Sequence, residues 1–233
     1  MDGVIAFITQ MPPVTRTYLG LCLLMSVLIQ LQVINPFHLY FNWNLILYDY
    51  QIWRFGTSFL YLGSLGFSLL FNLIFSYRYC RMLEEGSFAF RTADFVFLFI
   101  YGAVFMILCT VFVNILFLGQ AFTIMLVYIW GRRNPEVRLN FFGVLSFAAP
   151  YLPYFLCALS ILVGNSVTVD LLGIASGHIY YFFEDVYPLQ HGGRRFLKAP
   201  AFLERLFAEA PLPNVPAEER PGGMEWGADA DAH

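Results

Sequence analysis

The stretch FVFLFIYGAVFMILCTVFVNILFLGQAFTIMLVYIWG, residues 95–131, holds thirty-seven residues and not one Asp, Glu, Lys or Arg. A bilayer's hydrocarbon core is about 30 Å thick, and about 20 helical residues cross it. The run is too long for one crossing and right for two, with a turn near Val113-Asn114. Working outward, similar apolar runs predict a first helix near 17–34 and a second near 56–77. A fifth and a sixth divide residues 142–183 at Gly164-Asn165. Asn and Gly suit these turns because both tolerate left-handed backbone. The chain therefore reads as an all-α, polytopic membrane protein with six transmembrane helices in residues 1–190. Residues 191–233, rich in Pro, Gly, Glu and Asp, read as a cytosolic, largely disordered tail, with a short amphipathic helix over 201–208.

Composition agrees. The chain is 59% hydrophobic and 12% charged, against about 25% charge in a soluble domain. Its mean hydropathy is +0.64. A net charge of −3 gives no argument for nucleic acid. The four cysteines lie in or beside apolar runs, no Cys/His pair has metal-ligand spacing, and no cofactor is expected. The start, Met-Asp-Gly-Val, has no basic segment of the kind that opens a signal peptide.

Orientation follows from the basic residues. Twelve of the thirteen Lys and Arg fall before the first helix, between the second and third, between the fourth and fifth, or after the sixth. Cytosolic loops collect such residues, so both termini are expected in the cytosol. Only Arg54 lies on the other face. The loop over 35–55 is too aromatic to be solvated and is expected to lie in the membrane interface as short helices. The fourth helix reads as short. Pro150 and Pro153 either kink the fifth or restrict it to 153–164.

Several residues invite a chemical reading. Ser176 and His178 suggest a serine dyad, but residues two apart on a helix point about 200° from each other. Asp170 is the one acid inside an apolar run; such an acid is functional by default, yet near a helix end it can also cap or face water. Gly173 and Gly177 form a GxxxG that lets two helix backbones approach, on one face with Asp170. Trp53-Arg54 reads as an interfacial anchor, with something specific holding Arg54. Arg78, Arg81, Glu84 and Glu85 read as a solvated cluster. Asn72, Asn114 and Gln120 read as interhelical glue.

Three segments together resemble the Derlin family: Asn72-Leu-Ile-Phe-Ser-Tyr-Arg-Tyr-Cys-Arg-Met-Leu-Glu-Glu-Gly-Ser, Leu118-Gly-Gln-Ala-Phe-Thr-Ile-Met-Leu-Val-Tyr with Arg132-Arg-Asn-Pro, and Val169-Asp-Leu-Leu-Gly-Ile-Ala-Ser-Gly-His-Ile-Tyr. The resemblance covers about residues 12–188 and implies a rhomboid-like fold. Rhomboid proteases carry Gly-x-Ser-Gly on the fourth helix and a catalytic His on the sixth. Here Gly119, Gln120 and Ala121 take the first motif's place and Asp170 that of the His, which implies a pseudoprotease. Trp53-Arg54 and Gly173/Gly177 match signatures of the superfamily.

The role so implied is retrotranslocation of misfolded proteins across the endoplasmic-reticulum membrane, with bilayer thinning. Misfolded clients, a membrane ubiquitin ligase complex, a cytosolic AAA ATPase, the lipid bilayer and homo- or hetero-oligomers are the implied partners. Many Derlins end in a box with Gly-Gln-Arg that binds the ATPase. This tail keeps Glu219-Arg220-Pro221-Gly222-Gly223 and Trp226-Gly227 without that element. Recruitment is then expected through partner proteins or the loops around Arg81 and Arg132. The alternatives are an active intramembrane protease, which needs a different nucleophile, and a solute channel, which a single Asp170 argues against.

Overall fold

The computed structural model describes residues 10–141, 145–162, 164–190 and 197–207. Helix α1 (Pro13–Gln30) opens on proline, whose missing N–H would have no partner there in any case. A short turn at Pro36–His38 and α2 (Trp43–Leu47) follow. Each is capped by an asparagine: Asn35 accepts from the Phe37 N–H (3.0 Å) and Asn42 from that of Asn44 (2.8 Å). Next come α3 (Arg54–Leu60), α4 (Phe67–Met82), α5 (Thr92–Cys109) and α6 (Gly119–Arg133). An antiparallel hairpin, β1 (Arg138–Phe141) with β2 (Leu145–Ala148), pairs Arg138 with Ala148. The chain continues through α7 (Leu152–Leu162), α8 (Val167–Tyr181), α9 (Tyr187–Gln190) and α10 (Ala201–Leu206).

The structure departs from the expected helices in three places. The second is not continuous over 56–77: α3 ends at Leu60 and α4 begins at Phe67. Gly63 between them has φ +134°, backbone that side chains other than glycine's rarely allow. Asn72 donates to the freed Leu62 carbonyl (3.0 Å), so the break leaves that acceptor satisfied. The expected turn at Val113-Asn114 is wider, since no helix forms between Cys109 and Gly119. The 35–55 loop and α3 supply partners for its backbone, with Phe41 N–H donating to the Leu116 carbonyl (2.8 Å) and Leu118 N–H to the Ser58 carbonyl (2.9 Å). The fifth helix takes its restricted form. Residues 145–148 use their backbone groups in the hairpin, and a single turn at Ala149–Tyr151 precedes the eleven-residue α7.

Helix α6 forms the axis. Every residue from Ala121 to Gly131 is buried, as expected of a helix apolar on all sides. Phe122 gathers three neighbours. The rings of Tyr18 on α1, Phe59 on α3 and Phe99 on α5 lie 5.6, 6.0 and 4.8 Å from it, in the tilted and edge-on geometries aromatic pairs prefer. A hydroxyl pair, Ser76 with Thr123 (2.6 Å), joins α4 to the same axis.

The outside is apolar. Leu23 and Leu24 on α1, Leu70 on α4, Leu108 on α5, Ile161 on α7 and Leu171 on α8 are each at least half exposed. Soluble monomers rarely expose contiguous apolar patches beyond a few hundred Å². By length and composition, α1 and α5 are long and apolar enough to cross a membrane.

Charge gathers where α1 and α5 begin and α4, α6 and α8 end. Arg133 makes a two-pronged pair with Asp185 (3.0 and 3.1 Å) and lies over the Phe88 ring. Arg91 bonds Asp94 and lies 3.7 Å from Glu184. Asp94 also accepts from the Ala199 N–H (3.1 Å), and Leu203 of α10 is buried. The expected solvated cluster is corrected at Glu84. Its carboxylate is buried and caps α1, accepting from the N–H of Val14 (2.9 Å), the N–H of Thr15 (2.8 Å) and the Thr15 hydroxyl (2.6 Å). Arg81 and Glu85 form an exposed pair at 2.9 Å, and Arg78 lies over the neighbouring Tyr79 ring. The tail residues Glu219, Arg220 and Trp226 lie outside the described residues.

Candidate functional site

The polar residues of the apolar runs converge at one end of α6. Gln120, the second residue of α6, donates to Asp170 Oδ1 (2.7 Å) on the first turn of α8 and to the Ser160 hydroxyl (2.9 Å) on α7. One amide thus ties three helices. Asp170 is fully buried, and its Oδ2 has no hydrogen-bond partner among the described residues.

Two cavities meet here. One, of about 350 Å³, opens between α4 and α7; Phe71, Phe75, Leu156 and Leu159 line it, and Gln120, Ser160 and Asp170 form its polar inner end. The other, of about 440 Å³, lies among the loops at the Arg54 end of the molecule. Ser68, Gln120 and Asn165 line both.

Packing fixes this geometry. A Cβ on Gly173 would stand 2.3 Å from the Ala121 carbonyl oxygen; one on Gly177 would stand 3.0 Å from the Tyr128 ring and 3.1 Å from the Met125 carbonyl. The two glycines let α8 lie directly against α6. Gly119 is as tightly held, since its Cβ would come within 2.8 Å of the Phe59 and Tyr61 carbonyls.

Ser176 and His178 have separate partners. The Ser176 hydroxyl reaches the Met125 sulfur (3.2 Å), whereas His178 Nδ1 bonds the Tyr128 hydroxyl (2.7 Å), which also accepts from Arg132 Nε (3.0 Å). Ala121 is buried and has no nucleophilic group. Ser160, beside Asp170, shares its hydroxyl with Gln120, an amide that cannot serve as a base. The arrangement can bind through hydrogen bonds, and among the described residues His178 is bonded to Tyr128 rather than to a serine.

At the far end Arg54 is buried while Trp53 is half exposed. The guanidinium donates to the Phe37 and Tyr40 carbonyls (3.1 and 2.7 Å) and to Gln51 (2.8 Å), and it lies 4.6 Å from the Tyr40 ring. Its planar fork closes the 35–55 loop onto the start of α3.

The profile of the Der1-like family matches residues 11–201, a span that includes every residue of this site. The chain belongs to the Der1-like family. It is 44% identical to a Derlin-2.2 of Zea mays over 211 residues, 86% of this chain and 84% of that one. Over 214 residues it is 42% identical to a Derlin-2.2 of Arabidopsis thaliana, with 87% of each covered. A probable derlin-2 homolog of Dictyostelium discoideum is 38% identical over 203 residues, 84% of this chain and 80% of its own. At the family level the role is in endoplasmic-reticulum-associated degradation, and the protein is a membrane protein of that organelle.

Sequence reading missed two members of the site, Ser160 and the Ser76–Thr123 pair. All three hydroxyls stand inside apolar runs. Paired with Asn72 and Gln120, they would have marked a polar interior.

Proposed function

We propose that this Derlin-family chain is a non-catalytic factor that receives segments of misfolded proteins at the opening between α4 and α7 and helps pass them to the cytosol. The supporting observation is the cavity there, apolar toward its mouth and polar at Gln120, Ser160 and Asp170. Six crossings, α1 and α4 to α8, with both termini cytosolic, complete the reading. Helices α6 and α7 have 15 and 11 residues. At about 1.5 Å per residue neither reaches the roughly 30 Å of hydrocarbon, so lipid beside them thins. The absence of catalysis is supported by Ala121 and by the separate partners of Ser176 and His178.

A membrane ubiquitin ligase and a cytosolic AAA ATPase act on what the cavity delivers. The ATPase is engaged through partner proteins or the basic loops rather than directly by the tail. Both the Trp53-Arg54 anchor and the Gly173/Gly177 contact hold the cavity in shape.

The test places a photoreactive residue at Leu159 in the full chain and translates a misfolded membrane protein into microsomes containing it. Capture of the intact client is expected. No capture overturns the receiving role. Client fragments that vanish with Ser176→Ala overturn the non-catalytic reading.

A further inference from the structure

Asp170, which lines the cavity between α4 and α7, carries an acceptor oxygen with no hydrogen-bond partner among the described residues. Asp170 is fully buried, Gln120 occupies its Oδ1, and Oδ2 has no donor among the described residues. The Ser160 hydroxyl stands beside the carboxyl, and its oxygen accepts from Gln120 (2.9 Å). Asp170 sits in the first turn of α8, where the helix dipole favours negative charge and therefore an acceptor. Away from water, an unsatisfied acceptor gains more from an arriving donor than it would at a surface. Phe71, Phe75 and Leu159 line the same cavity as Asp170.

We infer that Asp170 Oδ2 recognises a hydrogen-bond donor on a client's transmembrane segment, a Lys, Arg, Asn or Gln side chain reaching in between α4 and α7. The inference rests on the receiving role proposed above and supplies its selectivity. A donor in hydrocarbon is itself costly. Placing it on Asp170 satisfies both groups at once, so the site favours segments that fit the bilayer poorly and ignores well-inserted leucine helices. Asp170 lies one turn inside α8, on the side where the second cavity opens. The preferred donor therefore lies about one turn inside the client helix from its lumenal end. The volume of about 350 Å³ falls within the range of about 300–1,000 Å³ typical of ligand sites and accepts one long side chain.

The probe is a single-span leucine helix inserted into microsomes containing the full chain with a photoreactive residue at Leu159. One series has no donor; another moves a single Lys along the helix. Capture is expected to rise at least fivefold when Lys stands one turn from the lumenal end, and to fall back when it stands at mid-helix. Asp170→Asn replaces Oδ2 with a donor and should bring the ratio between the two helices to one. The Lys scan on the unaltered chain decides the matter even if that variant does not fold. Equal capture at every Lys position, or a preference that survives Asp170→Asn, overturns this inference and leaves the receiving role standing. Capture of no helix at all overturns both.

Discussion

A methyl group on Gly173 would occupy the space of the Ala121 carbonyl oxygen, 2.3 Å away, and backbone cannot swing aside as a side chain can. Gly177 faces a ring and a carbonyl at 3.0–3.1 Å, which smaller shifts relieve. Gly173→Ala should therefore destabilise more than Gly177→Ala, and either Gly→Leu should cost about 1–3 kcal/mol or more. Thermal unfolding in detergent orders the variants; a Gly173→Ala protein as stable as the parent would refute the contact. Glu84 offers a second comparison. Glu84→Gln removes charge from a buried cap with three donors, for a loss of about 1–2 kcal/mol. Its neighbour Glu85 is in an exposed pair, and Glu85→Gln should stay within about 0.5 kcal/mol. Equal losses would show that Glu84 does not cap α1.

Among the elements, those whose apolar run coincides with one helix were legible in the sequence: α1, α5, α6 and α8 lie close to where charge-free runs placed them. What composition hid was how each run ends. The chain around Gly63 is largely apolar like its flanks, yet the helix breaks there, and Asn72, ten residues on from Leu62, donates to the carbonyl that the break frees. The 145–148 segment reads as helix by hydropathy and folds as strand because residues 138–141 are there to pair with it. In the site, Asp170 and Gln120 stood out as polar residues in apolar runs, but their meeting across fifty residues is a tertiary fact. Glu84 was misread because a charged run beside a helix end is usually solvated. The short α6 and α7 carry their own prediction. In liposomes of short-chain phosphatidylcholine the protein should melt several degrees higher than in long-chain lipid, since mismatch costs fractions of a kcal/mol per Å. A melting temperature indifferent to chain length would leave thinning without support.

For the whole molecule the decisive property is sidedness. Arg54 is buried on carbonyls, whereas, among the described residues, Arg81, Arg91 and Arg133 gather at the opposite end. Tyr48 and Tyr50 are among the most exposed residues of the 35–55 loop. Tyr48→Asn with Tyr50→Ser creates a glycosylation sequon there that should be modified in microsomes. Pro216→Ser, which completes a sequon at Asn214, should not be. Modification at Asn214 would reverse the topology.

The cap of α1 has a consequence in time. Val14 and Glu84 are 70 residues apart, and ribosomes add about 5–20 residues per second. The first turn of α1 therefore leaves the ribosome roughly 4–14 s before the residue that completes it. Through that interval its N–H groups must be held by water or by the insertion machinery. Helix α1 is thus left unfinished until α4 has been made, and its locking by Glu84 reports that the chain through α4 has arrived.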